Sequence, residues 1–183
     1  MHLNKALKNL YKLLSTDEVL LRLLHYVPKN ALDNPLDANK VNVMSMSVSE
    51  KKAILDTVLL PSDKKYDLDY KKVKISRICF YTGTRKPLSS YSRATKVMTD
   101  NPYASEQNYN FDIYVHVDID TTDFRMTMIA DRLNELLQLK QVTDVGDFML
   151  DFCSPIGNTP DGFLGFKMVY KTVSLQESPN TVT

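Results

Sequence analysis

Apolar residues recur every three or four positions through the first sixty residues, and every second position through several stretches of the last hundred. Leu3, Ala6, Leu7, Leu10, Leu13 and Leu14 give one stripe along a helix. The string Ser15-Thr16-Asp17-Glu18 then has the Ser-x-x-Glu spacing of a capping box, which predicts a second short helix from Glu18 to Tyr26. Pro28 ends it, and the segment PKNALDNPLDANK, with Asn34-Pro35 as its turn signal, reads as a loop. Ser-x-x-Glu recurs at Ser47 and Glu50 and predicts a third helix, through Lys51 to Val58 and stopped by Pro61.

From Val73 the period changes. VKISRICFY is rich in β-branched and aromatic residues and predicts a strand. Residues 82–108 mix Gly, Pro, Ser and Asn with Arg85, Lys86, Arg93 and Lys96 and show little periodicity, so they read as a long loop. A connection of that length inside a compact domain is uncommon and is usually functional or ordered by a partner. Next, Phe111, Ile113, Val115, Val117 and Ile119 fall on one face of a predicted strand, and Asp112, Tyr114, His116, Asp118 and Asp120 on the other. Thr121 or Thr122 can cap a helix over 123–139, whose Met126, Ile129, Ala130, Leu133, Leu136 and Leu137 form an apolar stripe. DFMLDF and GFLGFKMVYKTV, separated by the turn-rich CSPIGNTPD, predict two closing strands. The last residues, 175–183, read as a flexible tail or an arm that orders against a neighbour.

These elements predict an α+β fold: an antiparallel sheet with a long helix packed on one face, plus an N-terminal helical segment. A chain of 183 residues suits one domain, here with residues 1–60 helical and 73–174 forming the α/β core. Composition narrows the function further. The 43% hydrophobic and 25% charged content is that of an ordinary globular protein, without an apolar run of bilayer-spanning length, and no membrane partner or signal peptide is expected. A formal charge of +1 supplies no overall field for nucleic acid, so any such contact is local. Cys79 and Cys153 do not form a Cys-x-x-Cys pair and read as buried packing residues.

Few residues offer chemistry beyond packing. His116, Asp118 and Asp120 on one strand face could offer nitrogen and oxygen ligands to a divalent ion, with Lys167 and Lys171 on a neighbouring strand, as in a metal-dependent nuclease. Alternating polar residues are equally the wet face of an antiparallel strand, and that reading is preferred, with no catalytic residue, metal or cofactor expected. None of the histidines stands in a nucleophile motif, and the five glycines never form a phosphate loop ahead of a helix. In the loop, Arg85, Lys86, Arg93 and Lys96 with Tyr91 and Tyr103 interleaved could meet a phosphate backbone or an acidic subunit surface.

The stretch FDIYVHVDIDTTDFRMTMIADRLNELLQ together with GFLGFKMVYKTV resembles the tail-completion, or tail-terminator, proteins of long-tailed bacteriophages. LLRLLHYVPKNALDNPLD is similar to the N-terminal part of neck and tail-completion proteins in phages and prophages of Gram-positive bacteria. The resemblance implies a structural, non-enzymatic virion protein at the head–tail junction, assembled in the host cytoplasm. It implies a ring, usually of six subunits, that caps the tail tube and meets the head connector, with DNA passing through its channel. Its subunit interface or channel would carry Arg85, Lys86, Tyr91, Arg93, Lys96 and Tyr103, with Tyr114, His116, Asp118 and Asp120 as a further interface face. The helical first sixty residues set the chain apart from shorter members and leave a head-completion or stopper protein as the alternative. A nuclease built on His116, Asp118 and Asp120, and a small cytosolic adaptor for a host protein, are the readings outside that class.

Overall fold

The computed structural model describes residues 3–63, 66–68, 73–92, 95, 97–142 and 146–175. The expected α+β architecture is present. Among the described residues, five α-helices, α1 (Leu3–Ser15), α2 (Glu18–His25), α3 (Val48–Val58), α4 (Val117–Asp123) and α5 (Arg125–Leu137), accompany five strands, β1 (Leu59–Leu60), β2 (Ser76–Ser92), β3 (Val97–His116), β4 (Met149–Pro155) and β5 (Phe163–Leu175). The strands form one sheet in the order β1-β2-β3-β5-β4. All pairings are antiparallel except that of the two-residue β1 with β2, which is parallel, so the sheet is mixed by one short edge strand.

The helical segment follows its sequence signals with one shift. Ser47 caps α3, and its capping box with Glu50 is complete. The cap of α2 is Asp17, whose carboxylate accepts the N–H of Leu20 at 2.7 Å, in place of the expected Ser15. Ser15 is still the last residue of α1, and both its hydroxyl and that of Thr16 donate back to the carbonyl of Lys12, so neither is free to cap the next helix.

Helices α1, α2 and α5 cover one face of the sheet and make the main core. Leu10, Leu14, Leu20, Phe80, Phe111, Ile113, Val115, Ile129, Leu133 and Leu137 are all fully buried members of it. Phe80 and Phe111 stack at 6.1 Å between ring centroids, and Tyr170 meets Phe111 edge-on at 5.6 Å. Three buried arginines lock the helices in place. Arg125 joins the α4–α5 corner to the end of α2, donating to Asp123 and to the carbonyls of Leu23 and Tyr26. Arg77 donates to the carbonyl of Thr57 at 2.8 Å and pairs with Asp67, and Arg22 holds the carbonyls of Pro35 and Asp37. Arg132, which is partly exposed, grips Asp17 through two bonds of 3.0 and 2.6 Å and fixes α5 to the start of α2.

The second sheet face is covered near β1 by a smaller core of Leu68, Cys79, Tyr114 and Phe163, with Leu60, Ile75 and Ile156 against it. Cys79 is buried as expected, but Cys153 is exposed: it lies on the outer strand β4, where no further strand covers it. The expected tail falls outside the described residues from 176 onward.

Candidate functional site

Residues 82–92 and 97–108 are not a loop. They are the outer halves of β2 and β3, paired from Arg85↔Gln107 to Ser92↔Val97, with irregularities between Thr82 and Arg85 and between Pro87 and Leu88. Strand β5 runs beside β3 only as far as Ala104↔Leu175. Beyond that point the five pairs from Leu88↔Asn101 to Ser92↔Val97 form, among the described residues, a two-stranded arm that projects about 15–20 Å past the three-stranded part at the ordinary rise per residue. Gly, Pro and charged residues lower strand propensity, and each bulge breaks the period of two, yet backbone pairing along the hairpin outweighs both.

The predicted cations sit at the base of this arm. Arg85 is exposed and its Nε donates to Ser105 Oγ at 2.9 Å. Lys86 is exposed and pairs with Glu106 at 3.0 Å on the opposite strand. Tyr91 lies in β2 opposite Met98, and Tyr103 lies in β3. Arg93 and Lys96 fall outside the described residues. The structure thus gathers Arg85 and Lys86 on one paired segment and gives both partners, so this segment is strand and not a loose connection.

The strand carrying the proposed ligands ends earlier than its alternation implies. Strand β3 stops at His116, and Val117 to Asp123 turn into α4. The partner strand β5 begins at Phe163, and the N–H of Val117 donates to the carbonyl of Gly162 at 2.9 Å, so the ladder has no further partner to follow. Consequently Asp118 and Asp120 do not share a strand face with Tyr114 and His116. His116 Nδ1 accepts the N–H of Asp118 at 3.2 Å and caps α4, while its ring meets Phe163 edge-on at 5.3 Å. Asp118 pairs with Lys74 at 2.7 Å, and the hydrogen bond from that ammonium lowers the carboxyl pKa below its usual value. Asp120 Oδ1 accepts the N–H of Met126 at 2.7 Å and so does the work of a cap for α5. Thr121 and Thr122, the expected caps, sit inside α4 and donate to the carbonyls of Val117 and Asp118. Tyr114 is 1% exposed and belongs to the smaller core, not to a wet face. Each of the three proposed ligands is therefore committed to a local structural contact, and among the described residues no group of three His, Cys, Asp or Glu side chains converges.

Sequence reasoning missed a polar row on the second sheet face. Tyr81 donates to Asp112 Oδ2 at 2.8 Å, Lys167 Nζ lies 3.3 Å from Asp112 Oδ1 and 3.1 Å from the Tyr81 hydroxyl, and the ammonium stands 5.6 Å from the Tyr81 ring centroid. Burial pushes the Asp112 carboxyl pKa up, against the opposing pull of Tyr81 and Lys167. The pairing Asp112↔Lys167 follows from the β3–β5 register, a fact that spacing alone does not give. The row satisfies charges where the smaller core ends and the solvated half of the face begins.

A groove opens on the other face, between α5 and the outer strands. It measures about 450 Å³ and is lined by Asp120, Met126, Asp131, Leu150, Phe166 and Met168 among others. Beside it, the outer edge of β4 has no neighbour among the described residues, and Met149 and Phe152, which by register lie on the opposite face of that strand, are 49% and 48% exposed. Among the described residues, no helix is long and apolar enough to cross a membrane.

Residues 17–172 match the family model described as YomW. The chain belongs to the YomW family. Within that family it is similar to the SPbeta prophage-derived uncharacterized protein YomW of Bacillus subtilis (strain 168), with 26% identity over 172 residues that cover 91% of this chain and 94% of the relative. The YomW match therefore runs from the start of α2 through the arm and the sheet. The family has a prophage-derived member, which is the ground it shares with the phage resemblance drawn from the residues. A solved structure titled as the tail of an empty GTA particle, computed with helical refinement and C6 symmetry, overlaps 57% of this YomW-family chain and 81% of its own at 12% identity and a TM-score of 0.21. That degree of overlap carries no weight for fold or assembly.

Proposed function

We propose that this YomW-family protein is a structural component of a tailed phage particle: a tail terminator or completion protein that forms a ring, of six copies, where the tail tube meets the head connector. The observation that carries this reading is the projecting arm. A two-stranded extension with no third strand buries little of its own surface and gains stability from a neighbour, and a ring offers each arm an identical neighbour in a head-to-tail contact. The prophage-derived relative and the resemblance of residues 111–138 and 162–173 to tail-completion proteins support the same class. The side chains once considered for metal chemistry serve as caps and ion pairs, which favours a structural role over an enzymatic one. The partners are then other copies of the chain, the tail tube protein and the head connector, with DNA passing through the channel. A head-completion or stopper protein is the neighbouring alternative within the same class.

The arm cations give the test. Residues 82–108 hold four basic and two acidic residues, so a ring repeats a modest positive charge around its axis. Native mass spectrometry of the purified protein is expected to show a closed oligomer of six chains, and replacement of Arg85, Lys86, Arg93 and Lys96 by Ser is expected to shift it toward monomer at equal concentration while circular dichroism stays unchanged. A quadruple variant that assembles like the parent would remove these cations from the interface.

A further inference from the structure

We propose that the outward face of α1 is a contact surface for the phosphate backbone of duplex DNA, made by Lys5, Lys8 and Lys12. The inference deepens the ring reading, which brings DNA within reach of the protein, but the contact itself requires only the folded chain.

The three lysines stand on one line. Helix α1 buries Ala6, Leu10 and Leu14, and at 3.6 residues per turn Lys5, Lys8 and Lys12 fall within about 60° of one another on the side away from them. All three are exposed. Residues 3–16 contain these basic residues and no acidic one, although the whole chain is balanced at a formal +1. At the C-terminal end of the helix the positive run continues across a cleft of about 500 Å³ between α1 and the end of α5, lined by both Lys12 and Lys140. Glu135 also lines that cleft, but its carboxylate is held by Arg132 at 2.7 Å. The stripe works against the helix that carries it. Lys5 with Lys8 and Lys8 with Lys12 are like-charged pairs at i,i+3 and i,i+4 spacing, which destabilise a helix, and Lys5 in the first turn opposes the helix dipole. A polyanion lying along α1 relieves all three.

The chemistry of the face selects among polyanions. Its exposed residues are Asn4, Lys5, Lys8, Lys12 and Thr16, all polar, so a protein partner finds no exposed apolar anchor along the stripe of the kind that dominates protein interfaces. A membrane surface is disfavoured because an interfacial helix inserts its apolar face, and that of α1 is already buried in the main core. A phosphate backbone needs only ammonium groups and polar side chains such as Asn4. From Lys5 to Lys12 the helix rises about 10 Å, the length of about three base-pair steps, so an ammonium can be offered to each of three phosphates of one strand.

The test is fluorescence anisotropy of a labelled duplex of mixed sequence, titrated with the full-length protein over a series of salt concentrations. The parent is expected to bind with a log affinity that falls linearly with log salt. The variant carrying Lys5→Gln, Lys8→Gln and Lys12→Gln is expected to lose about 3 from that slope, about 1 per lysine. Glutamine is close to lysine in helix propensity, and unchanged circular dichroism verifies the fold. A control with Lys29→Gln, Lys51→Gln and Lys52→Gln removes the same charge elsewhere and is expected to change the slope by less than about 1. Equal losses in the two variants mean that net charge alone binds DNA, and overturn the α1 surface. A parent that forms rings but does not bind the duplex overturns the contact and leaves the ring reading standing. DNA binding with the expected slopes by a protein that stays monomeric supports the contact and counts against the ring. Polyglutamate, or vesicles of phosphatidylglycerol, bound more tightly than the duplex through the same three lysines would assign the face to an acidic protein or a membrane and overturn DNA as its partner.

Discussion

Replacing Arg125 by Ala is expected to cost about 3–5 kcal/mol of folding stability, the range for removing one partner of a buried ion pair. Arg125 is fully buried, and its guanidinium donates to Asp123 through Nε at 3.0 Å and Nη2 at 2.5 Å. Its Nη1 reaches the carbonyl of Tyr26 at 2.6 Å and that of Leu23. Those carbonyls lie at the C-terminal end of α2, where helical oxygens lack intrahelical donors and the helix dipole favours a cation. The substitution would strand the Asp123 carboxylate, itself 9% exposed, and take this donor from the buried carbonyl of Leu23 and the partly buried carbonyl of Tyr26. Against a total stability of about 5–15 kcal/mol for an ordinary domain, that loss would leave a large unfolded fraction. Arg125→Lys should recover little, because one ammonium cannot reproduce a planar fork that spans a carboxylate and two carbonyls. The double change Arg125→Met with Asp123→Asn should recover more, since no buried charge is then left alone. Urea denaturation of the four proteins measures this, and a loss below about 1 kcal/mol for Arg125→Ala, the level of a typical single hydrogen bond, would show that the corner does not depend on the arginine.

The second large effect lies on the same helix. Leu133→Ala is expected to cost about 2–5 kcal/mol, the range for a large-to-small change in a packed core. Leu133 is fully buried with Ile129 and Leu137 on the stripe that faces α2 and the sheet, whereas Leu136 is only partly buried and lines a groove against α1. Leu136→Ala should therefore cost clearly less in the same titration. A Leu133→Ala loss below about 0.5 kcal/mol, the usual size of a surface substitution, would contradict this packing.

Much of the fold was legible wherever one local signal had no competitor. The α5 stripe and the Ser47–Glu50 box of α3 are both set by residues within one or two helical turns. The apolar face of β3 was legible as far as Val115. The sequence misled where two local readings were equally good. Val117 and Ile119 extend the strand alternation, but both are also compatible with a helical turn, and the arrest of β5 at Phe163 decides between them. The arm was missed because its signal is non-local. Arg85, Lys86 and Pro87 look like loop residues, and only pairing with Gln107, Glu106 and Ser105 makes them strand. For the site, the sequence placed His116, Asp118 and Asp120 together when a change from strand to helix separates them. The groove between α5 and β4 had no sequence signal, since its lining comes from four elements, α4, α5, β4 and β5.

The central claim, a structural part of the head–tail junction, is tested most directly by electron microscopy of particles produced when this gene is deleted from the phage or prophage that carries it. The account predicts filled or expiring heads and separate tails, tails of abnormal length or with uncapped ends, and restoration of joined particles when the intact gene is supplied in trans. Normal numbers of joined, infectious particles in the deletion would contradict it.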